Sequence, residues 1–157
     1  MKSILIIASL LLAVMLQTTL AGFLTFQGAG PNLILVLVLI LIIARDFKKF
    51  WWVVVLGGFF LDLLTGLPFG LVSLSLIATA YLVDWFKSNV FSSVKFWIAA
   101  VLITLGSLVY QLLLFILARA FRTTGLFDFK YLLIEIVYNL LVAFIFYAGL
   151  KKVFGKI

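Results

Sequence analysis

The stretch GGFFLDLLTGLPFG, residues 57–70, sets an aspartate and regularly spaced glycines inside an otherwise apolar part of the chain. Gly58, Asp62, Gly66 and Gly70 recur every fourth residue, and on a helix residues four apart lie on the same face. Small residues on such a face let a second helix approach closely. The stretch therefore predicts a tight antiparallel hairpin of two helices, with the aspartate in a glycine-lined groove.

The same stretch leaves two roles open for Asp62. Its carboxylate is either a buried, hydrogen-bonded anchor of the hairpin or a group that binds a partner or ligand directly. Gly66 and Pro68 are predicted to form the turn, because glycine and proline favour turns. Gly70 is predicted to let the next helix begin against that turn.

Composition extends the prediction to the whole chain. Of its 157 residues 67% are hydrophobic, and the mean hydropathy is +1.39. A soluble domain is about half apolar, and a globule of this size cannot bury so large an excess. We therefore expect one domain, residues 1–157, that is an integral membrane protein. The chain has no cysteine and no histidine, which excludes disulfides, thiol chemistry and catalysis by histidine.

Apolar runs predict six membrane-spanning helices, since a span needs about 20 mostly apolar residues. The predicted helices cover approximately residues 3–21, 31–45, 50–67, 69–86, 96–118 and 131–150. The first is interpreted as a helix and not as a signal peptide, because more apolar sequence follows it without a cleavage site. Pro31 begins the second helix, where its missing N–H costs least.

The basic residues predict the orientation. The net charge is +7, and nine Lys or Arg residues fall on the side that holds both termini, against three on the other side. The positive-inside rule then places both termini in the cytoplasm. All four tryptophans fall at predicted cytoplasmic helix ends. Because the charges stand at the ends of apolar runs, they indicate membrane lipids as partners and not nucleic acid.

Polar side chains concentrate in the outer halves of the predicted helices. Asn32, Gln111, Glu135 and Asn139 are the main examples besides Asp62. An isolated Asn or Gln in a membrane helix commonly joins it to a neighbour by hydrogen bonds. Together these residues predict a polar cavity or a polar packing layer that opens to the outside.

One basic residue is placed near this layer by the same reasoning. Arg119, at the outer end of the fifth helix, is the expected ion-pair partner of Asp62 or Glu135. Buried charges in a membrane are commonly paired.

No catalytic motif is present in the sequence. It contains no phosphate-binding loop, no zinc-binding helix motif and no nucleophile elbow. Asp62 and Glu135 form the one geometrically possible pair of acids, and no motif supports them. We expect a protein that is not an enzyme and that uses no cofactor or metal.

Three segments resemble, in order, motifs of the bacterial rod-shape-determining MreD family. Residues 57–71 resemble its "GfxxGlxxDllsGxPlGl" hairpin, although Leu61 stands where a second glycine is often found. PNL at 31–33 is similar to its "P-[DN]-L" helix start, and YNLL at 138–141 to its "YNxLL" element. The resemblance covers nearly the whole chain. The candidate partner-binding or structural residues are Pro31, Asn32, Gly58, Asp62, Gly66, Pro68, Gly70, Gln111, Arg119, Glu135 and Asn139.

The resemblance implies a fold and a function. The fold would be a six-helix bundle similar to the substrate-binding (S) component of energy-coupling-factor (ECF) vitamin transporters. The function would be that of a non-enzymatic scaffold and regulator of the cell-wall elongation complex in the bacterial inner membrane, which maintains rod shape. Its direct partner would be a single-span MreC-like protein, linked to MreB filaments and to a peptidoglycan polymerase and transpeptidase. Pairing of the hairpin face with a second copy of the chain stays open.

The shared fold raises one alternative, the substrate-capture subunit of a vitamin transporter. Such subunits dock their energising module through an AxxxA-type patch in the first helix. Here Ala8 and Ala13 are the only small apolar residues in the corresponding region, so the patch is poor.

Overall fold

The computed structural model of this chain describes residues 2–25, 29–91, 96–121 and 129–154, except the side chains of 2–5, 20–22, 24, 96, 129–131 and 147–154. The elements in this part of the chain are six α-helices, which confirms the all-α prediction and the number of helices. They are α1 (Lys2–Leu24), α2 (Leu33–Ala44), α3 (Phe47–Thr65), α4 (Leu71–Val90), α5 (Phe96–Ala120) and α6 (Phe129–Phe154).

Helix α2 lies at the centre of the bundle. It contacts each of the other five helices, which follow one another around it as α1, α3, α4, α5 and α6. Every side chain from Leu33 to Ile43 is buried. A helix that is apolar on all sides is stable when other helices surround it, so the sequence LILVLVLILIIA accounts for the central position.

The ends of the helices differ in detail from the prediction. Helix α2 has 12 residues, or about 18 Å at 1.5 Å per residue, because Asn32 caps its N-terminus and its last residue is Ala44. Helix α3 ends at Thr65, before Gly66. Helix α4 extends to Val90 and therefore includes Lys87, which had been predicted to begin a loop.

Two described helical segments are long and apolar enough to cross a membrane, Leu71–Val90 and Trp97–Ala120. Shorter apolar segments occupy Ile6–Thr19, Leu33–Ala44 and Leu132–Phe146. By length and composition the fold is therefore compatible with a membrane protein.

One end of the bundle is both basic and aromatic, and we call it the basic end. It consists of the α2–α3 turn, the first turns of α3 and the last turns of α4, together with the start of α5. Its members are Arg45, Lys48, Lys49, Trp51, Trp52, Trp85, Lys87 and Trp97. Of the other cations that were used for the orientation, Arg119 lies near the end of α5 and has a described side chain. The rest lie outside the described side chains: Lys2, Lys95, Arg122, Lys130, Lys151, Lys152 and Lys156.

Candidate functional site

The Asp62 carboxylate lies in the last turn of α3 and faces the first turn of α4. The backbone N–H of Val72 donates to Asp62 Oδ1 at 2.9 Å. The backbone N–H of Ser73 reaches both carboxylate oxygens, at 3.4 and 3.3 Å, and the Ser73 hydroxyl donates to Oδ2. Asp62 is only 3% exposed. These contacts are those of a hydrogen-bonded anchor of the hairpin.

The reason for this contact lies in the helix end itself. The first N–H groups of a helix have no partner within the helix, and the side chain of the N-cap residue commonly accepts from the second or third of them. The N-cap of α4 is Gly70, which has no side chain to do this. Asp62 accepts from those two positions, Val72 and Ser73, and brings a negative charge to the end of the helix that favours it.

Gly58 sets how closely α3 and α4 approach. A Cβ atom at this position would lie 2.7 Å from Ser73 Cα and 2.9 Å from Ser73 Oγ. Since the first of these is a backbone atom, any side chain would push α4 away and lengthen the hydrogen bonds of Asp62. Gly57 faces α2 instead, and a Cβ there would meet the methyl groups of Ile34 and Val38 at 3.1 and 3.2 Å.

The hairpin turn contains the glycines and the proline that were predicted to form it, but the predicted helical face of Gly66 is wrong. Gly66 has φ 65° and Gly70 has φ 97°, both in the left-handed region that favours glycine. The Pro68 carbonyl accepts from the N–H of Leu71 at 3.2 Å. Because Gly66 lies beyond the end of α3, it does not share a helical face with Gly58 and Asp62, and the groove is lined by Gly58 alone among these glycines.

A second polar cluster caps the N-terminus of α2. The N–H of Leu33 donates to Gln17 Oε1 of α1 at 2.7 Å, and Gln17 Nε2 donates to the Pro31 carbonyl at 3.1 Å. Asn32 Oδ1 accepts from the N–H of Leu35 at 3.0 Å, as an N-cap side chain does. The N–H of Asn32 donates to Asn139 Oδ1 of α6 at 2.9 Å. Pro31 and Asn32 are thus held by both α1 and α6.

The cluster continues into α5 and α6. Asn139 is fully buried, and its Nδ2 donates to Ser107 Oγ at 3.3 Å. One turn away Gln111 Nε2 donates to Glu135 Oε2. These described contacts join side chains to one another and to helix ends, so they belong to a packing layer and not to groups directed at a ligand.

Arg119 does not form the predicted ion pair. Its guanidinium lies over the ring of Phe115, 5.4 Å from the centroid, and the side chain is exposed. Within the described part of the chain every salt bridge involves Asp46 or Asp84. The ion pair is unnecessary because Asp62 is satisfied by the α4 N-terminus and Glu135 by Gln111.

Lys87 is a central residue that the sequence reasoning missed. It is 9% exposed, and its ammonium donates to the carbonyl of Ile42 at 2.9 Å and to the carbonyl of Arg45. Asp84 Oδ1 lies 3.0 Å from Nζ, and Asp46 Oδ1 lies 3.7 Å from it. Lys87 therefore caps the C-terminus of α2. The Asp84–Lys87 spacing of three residues on a helix was the available signal.

The outer surface carries many large apolar side chains. One shallow apolar groove of about 410 Å³ is lined by Leu133, Ile134, Val137 and Tyr138 of α6. Among the described residues no group of three or more His, Cys, Asp or Glu is placed to hold a metal ion.

The fold and its contacts define a class of protein, an all-α bundle whose apolar central helix is held at both ends by side chains of its neighbours. Comparisons of the chain with protein-family models, with curated proteins and with solved structures gave no match.

Proposed function

We propose that this chain is a multi-pass protein of the bacterial inner membrane, of the MreD type. In this proposal it serves as a non-enzymatic scaffold of the cell-wall elongation complex. Its helices hold the transmembrane segment of an MreC-like partner, and its termini and basic end lie in the cytoplasm.

The proposal is supported by the position of the three segments that resemble MreD motifs. The hairpin segment contributes Asp62, which joins α3 to α4. The segment at 31–33 contributes Asn32, and the segment at 138–141 contributes Asn139, and these two residues hydrogen-bond to each other. The motifs thus coincide with the residues that join the helices, as motifs shared by proteins of one fold would.

A membrane location is also compatible with the shortness of α2. In hydrocarbon every backbone polar group needs a partner within the protein. Helix α2 is too short to span about 30 Å of hydrocarbon, but it is enclosed by protein. Gln17 and Asn139 satisfy groups at its start, and Lys87 satisfies carbonyls at its end. It therefore needs no lipid contact along its length.

The outer faces support the same location. Exposed large apolar side chains occur on all of α1, α3, α4, α5 and α6, and Leu133, Val137 and Leu141 form one such stripe on α6. Soluble monomers rarely expose large contiguous apolar patches. In the proposal lipid covers most of this surface and the partner helix covers part of it.

The proposal is tested by capture of partners from the membrane of a rod-shaped bacterium that carries the tagged chain. We expect an MreC-like single-span protein in the detergent eluate, and with it a wall polymerase or transpeptidase. Asp62→Ala is expected to lower the level of the protein or the yield of this complex. Recovery of no such partner, with the wild-type chain folded and in the membrane, would count against the scaffold function.

The alternative is a vitamin-capture subunit. No described observation favours it, because Gln17, Asn32, Gln111 and Asn139 are engaged with other groups of the chain. A rise in melting temperature of the purified protein with one vitamin of a panel would support this alternative against the scaffold.

A further inference from the structure

The acids of the basic end are turned toward its buried lysine. Asp46 and Asp84 are the two carboxylates in the described part of this end, and both lie within 4 Å of Lys87 Nζ, at 3.7 and 3.0 Å. Asp46 also lies 4.0 Å from Lys49 Nζ. The described charged side chains of this end are four cations, including Lys87, against these two carboxylates, so the end keeps a net charge of +2.

Three of the four cations are exposed and fall within five consecutive residues. They are Arg45, Lys48 and Lys49, and within the described residues no carboxylate lies within 4 Å of Arg45 or Lys48. Lys48 and Lys49 also stand in the first turn of α3, where the helix dipole disfavours positive charge. An anion from outside the chain would reduce the repulsion among these cations and would interact favourably with the positive end of the α3 dipole.

Aromatic side chains beside the cations indicate what kind of anion this is. Trp51 and Trp85 are 56% and 54% exposed. Trp51 follows Lys48 by three residues on the same helix, so the two side chains are neighbours on its surface. Tryptophan prefers the level of the lipid headgroups, where its ring is partly in hydrocarbon and its N–H is hydrated. A ligand that contacts both side chains has an anionic head and an apolar tail.

We propose that Arg45, Lys48 and Lys49 bind the headgroup phosphates of anionic phospholipids, with Trp51 against the upper part of the acyl chains. This inference rests on the membrane location in the proposed function, but not on the identity of the protein partner. The lipid site would fix the depth of the α2–α3 turn in the inner leaflet.

The test uses the four tryptophans, all of which lie at the basic end. The full chain is reconstituted in phosphatidylcholine bilayers, and brominated phosphatidylglycerol or brominated phosphatidylcholine is added as quencher of tryptophan fluorescence. We expect phosphatidylglycerol to be preferred several-fold. The Lys48→Gln/Lys49→Gln variant should lose most of that preference and bind the two lipids about equally, because each lysine near the surface contributes to the attraction of anionic lipid. Arg119→Gln removes an exposed cation at the other end and should leave the preference unchanged.

Two further measurements need no variant. Raising the salt concentration should weaken the preference, because salt screens exposed charges. Soluble glycerol phosphate at millimolar concentration should not compete, since it has no acyl chain, and competition would overturn the proposal in favour of a free-anion site. Equal quenching by the two brominated lipids at low salt would also overturn it.

The outcomes separate this inference from the proposed function. If the chain fails to insert in bilayers and to float with them, the membrane location fails and both proposals fall. If it inserts without preferring phosphatidylglycerol, only the lipid site is wrong. Capture of an MreC-like partner is a separate result that neither outcome decides.

Discussion

Two helix ends inside the bundle are capped by a charged side chain from another helix, and they differ in how the charge is satisfied. Asp62 places an anion at the N-terminus of α4, and Lys87 places a cation at the C-terminus of α2. Each sign is the one that the helix dipole favours. Asp62 reaches a residue only 10 positions away, whereas Lys87 reaches one 45 positions away.

The two charged side chains connect different numbers of helices. The carboxylate of Asp62 is satisfied by donors of Val72 and Ser73 alone, and within the described residues no cation lies within 4 Å of it. The ammonium of Lys87 contacts two carbonyls and lies near two carboxylates, so it ties α4 to the end of α2 and to the turn before α3. Asp62 thus secures one hairpin, and Lys87 secures the central helix.

The largest effect is expected for Lys87→Met. The variant leaves Asp84 without its counter-ion and two carbonyls without a donor, and removing one partner of a buried pair costs about 3–5 kcal/mol. The free energy of unfolding in SDS, followed by tryptophan fluorescence, measures it. Lys48→Met is the matched control at the same end, and its effect should stay within about 0.5 kcal/mol because the side chain is exposed. Equal effects of the two variants would show that Lys87 is not a central contact.

Asp62→Ala should cost somewhat less, about 2–3 kcal/mol, because it removes a helix cap and leaves buried donors without an acceptor. Asp62→Asn should fall between alanine and wild type, since its amide oxygen still accepts from Val72. The same unfolding measurement separates the three proteins. A loss for Asp62→Ala as small as that for Lys48→Met would contradict its role as an anchor.

Gly58→Ala should move α4 away from α3 while leaving the Asp62 carboxylate in place. The added Cβ would meet backbone atoms of Ser73, and forcing the helices apart should cost about 1–3 kcal/mol. Gly57→Ala is the matched control in the same helix, because the atoms nearest its Cβ would be side-chain methyl groups at 3.1 Å or more and not backbone atoms. The melting temperatures of the two variants in detergent should therefore differ, with Gly58→Ala the lower. A reversed order would mean that close α3–α4 packing does not position Asp62.

The smallest effect is expected at the neutral cap of α2. Asn139→Leu removes the acceptor of the Asn32 N–H and the donor to Ser107, and hydrogen bonds between helices in membrane proteins are worth about 1 kcal/mol. Ser107→Ala removes only the 3.3 Å bond and should cost less still. SDS unfolding of both variants checks this. A larger loss of unfolding free energy for Asn139→Leu than for Lys87→Met would mean that the neutral cap at the start of α2 stabilises the fold more than Lys87 does.

Much of the hairpin was readable from the sequence, since its determinants are local. Asp62, Gly66, Pro68 and Gly70 are few residues apart, and the donors to the carboxylate, Val72 and Ser73, follow within three residues of Gly70. The position of Gly66 was the exception, because a regular four-residue spacing suggests one continuous face and does not indicate that the helix stops at Thr65.

The contacts between distant segments were predicted less well. Asn32 and Asn139 were recognised as polar residues of one layer, but their mutual hydrogen bond spans 107 positions and depends on α6 packing against the start of α2. The predicted ion pair of Arg119 with an acid was wrong. The sequence indicates how deep a residue lies in the membrane, but not which neighbouring groups the packing brings into contact with it. Lys87 lay just beyond the predicted end of the fourth helix at residue 86. Nothing in its local sequence indicates that the C-terminus of α2 packs against it.

The number of helices, the hairpin and the apolar character could all be predicted from local sequence, because periodicity and turn residues act over a few neighbouring positions and composition needs no structure. The sequence also contained the signal for the central helix in the unbroken apolar run 33–43. The side chains that cap the ends of that helix could not be predicted in this way, because they come from distant segments of the chain. Unpaired N–H and carbonyl groups accept whichever donor or acceptor the packing of the other helices brings within reach, and that choice is made by the whole bundle.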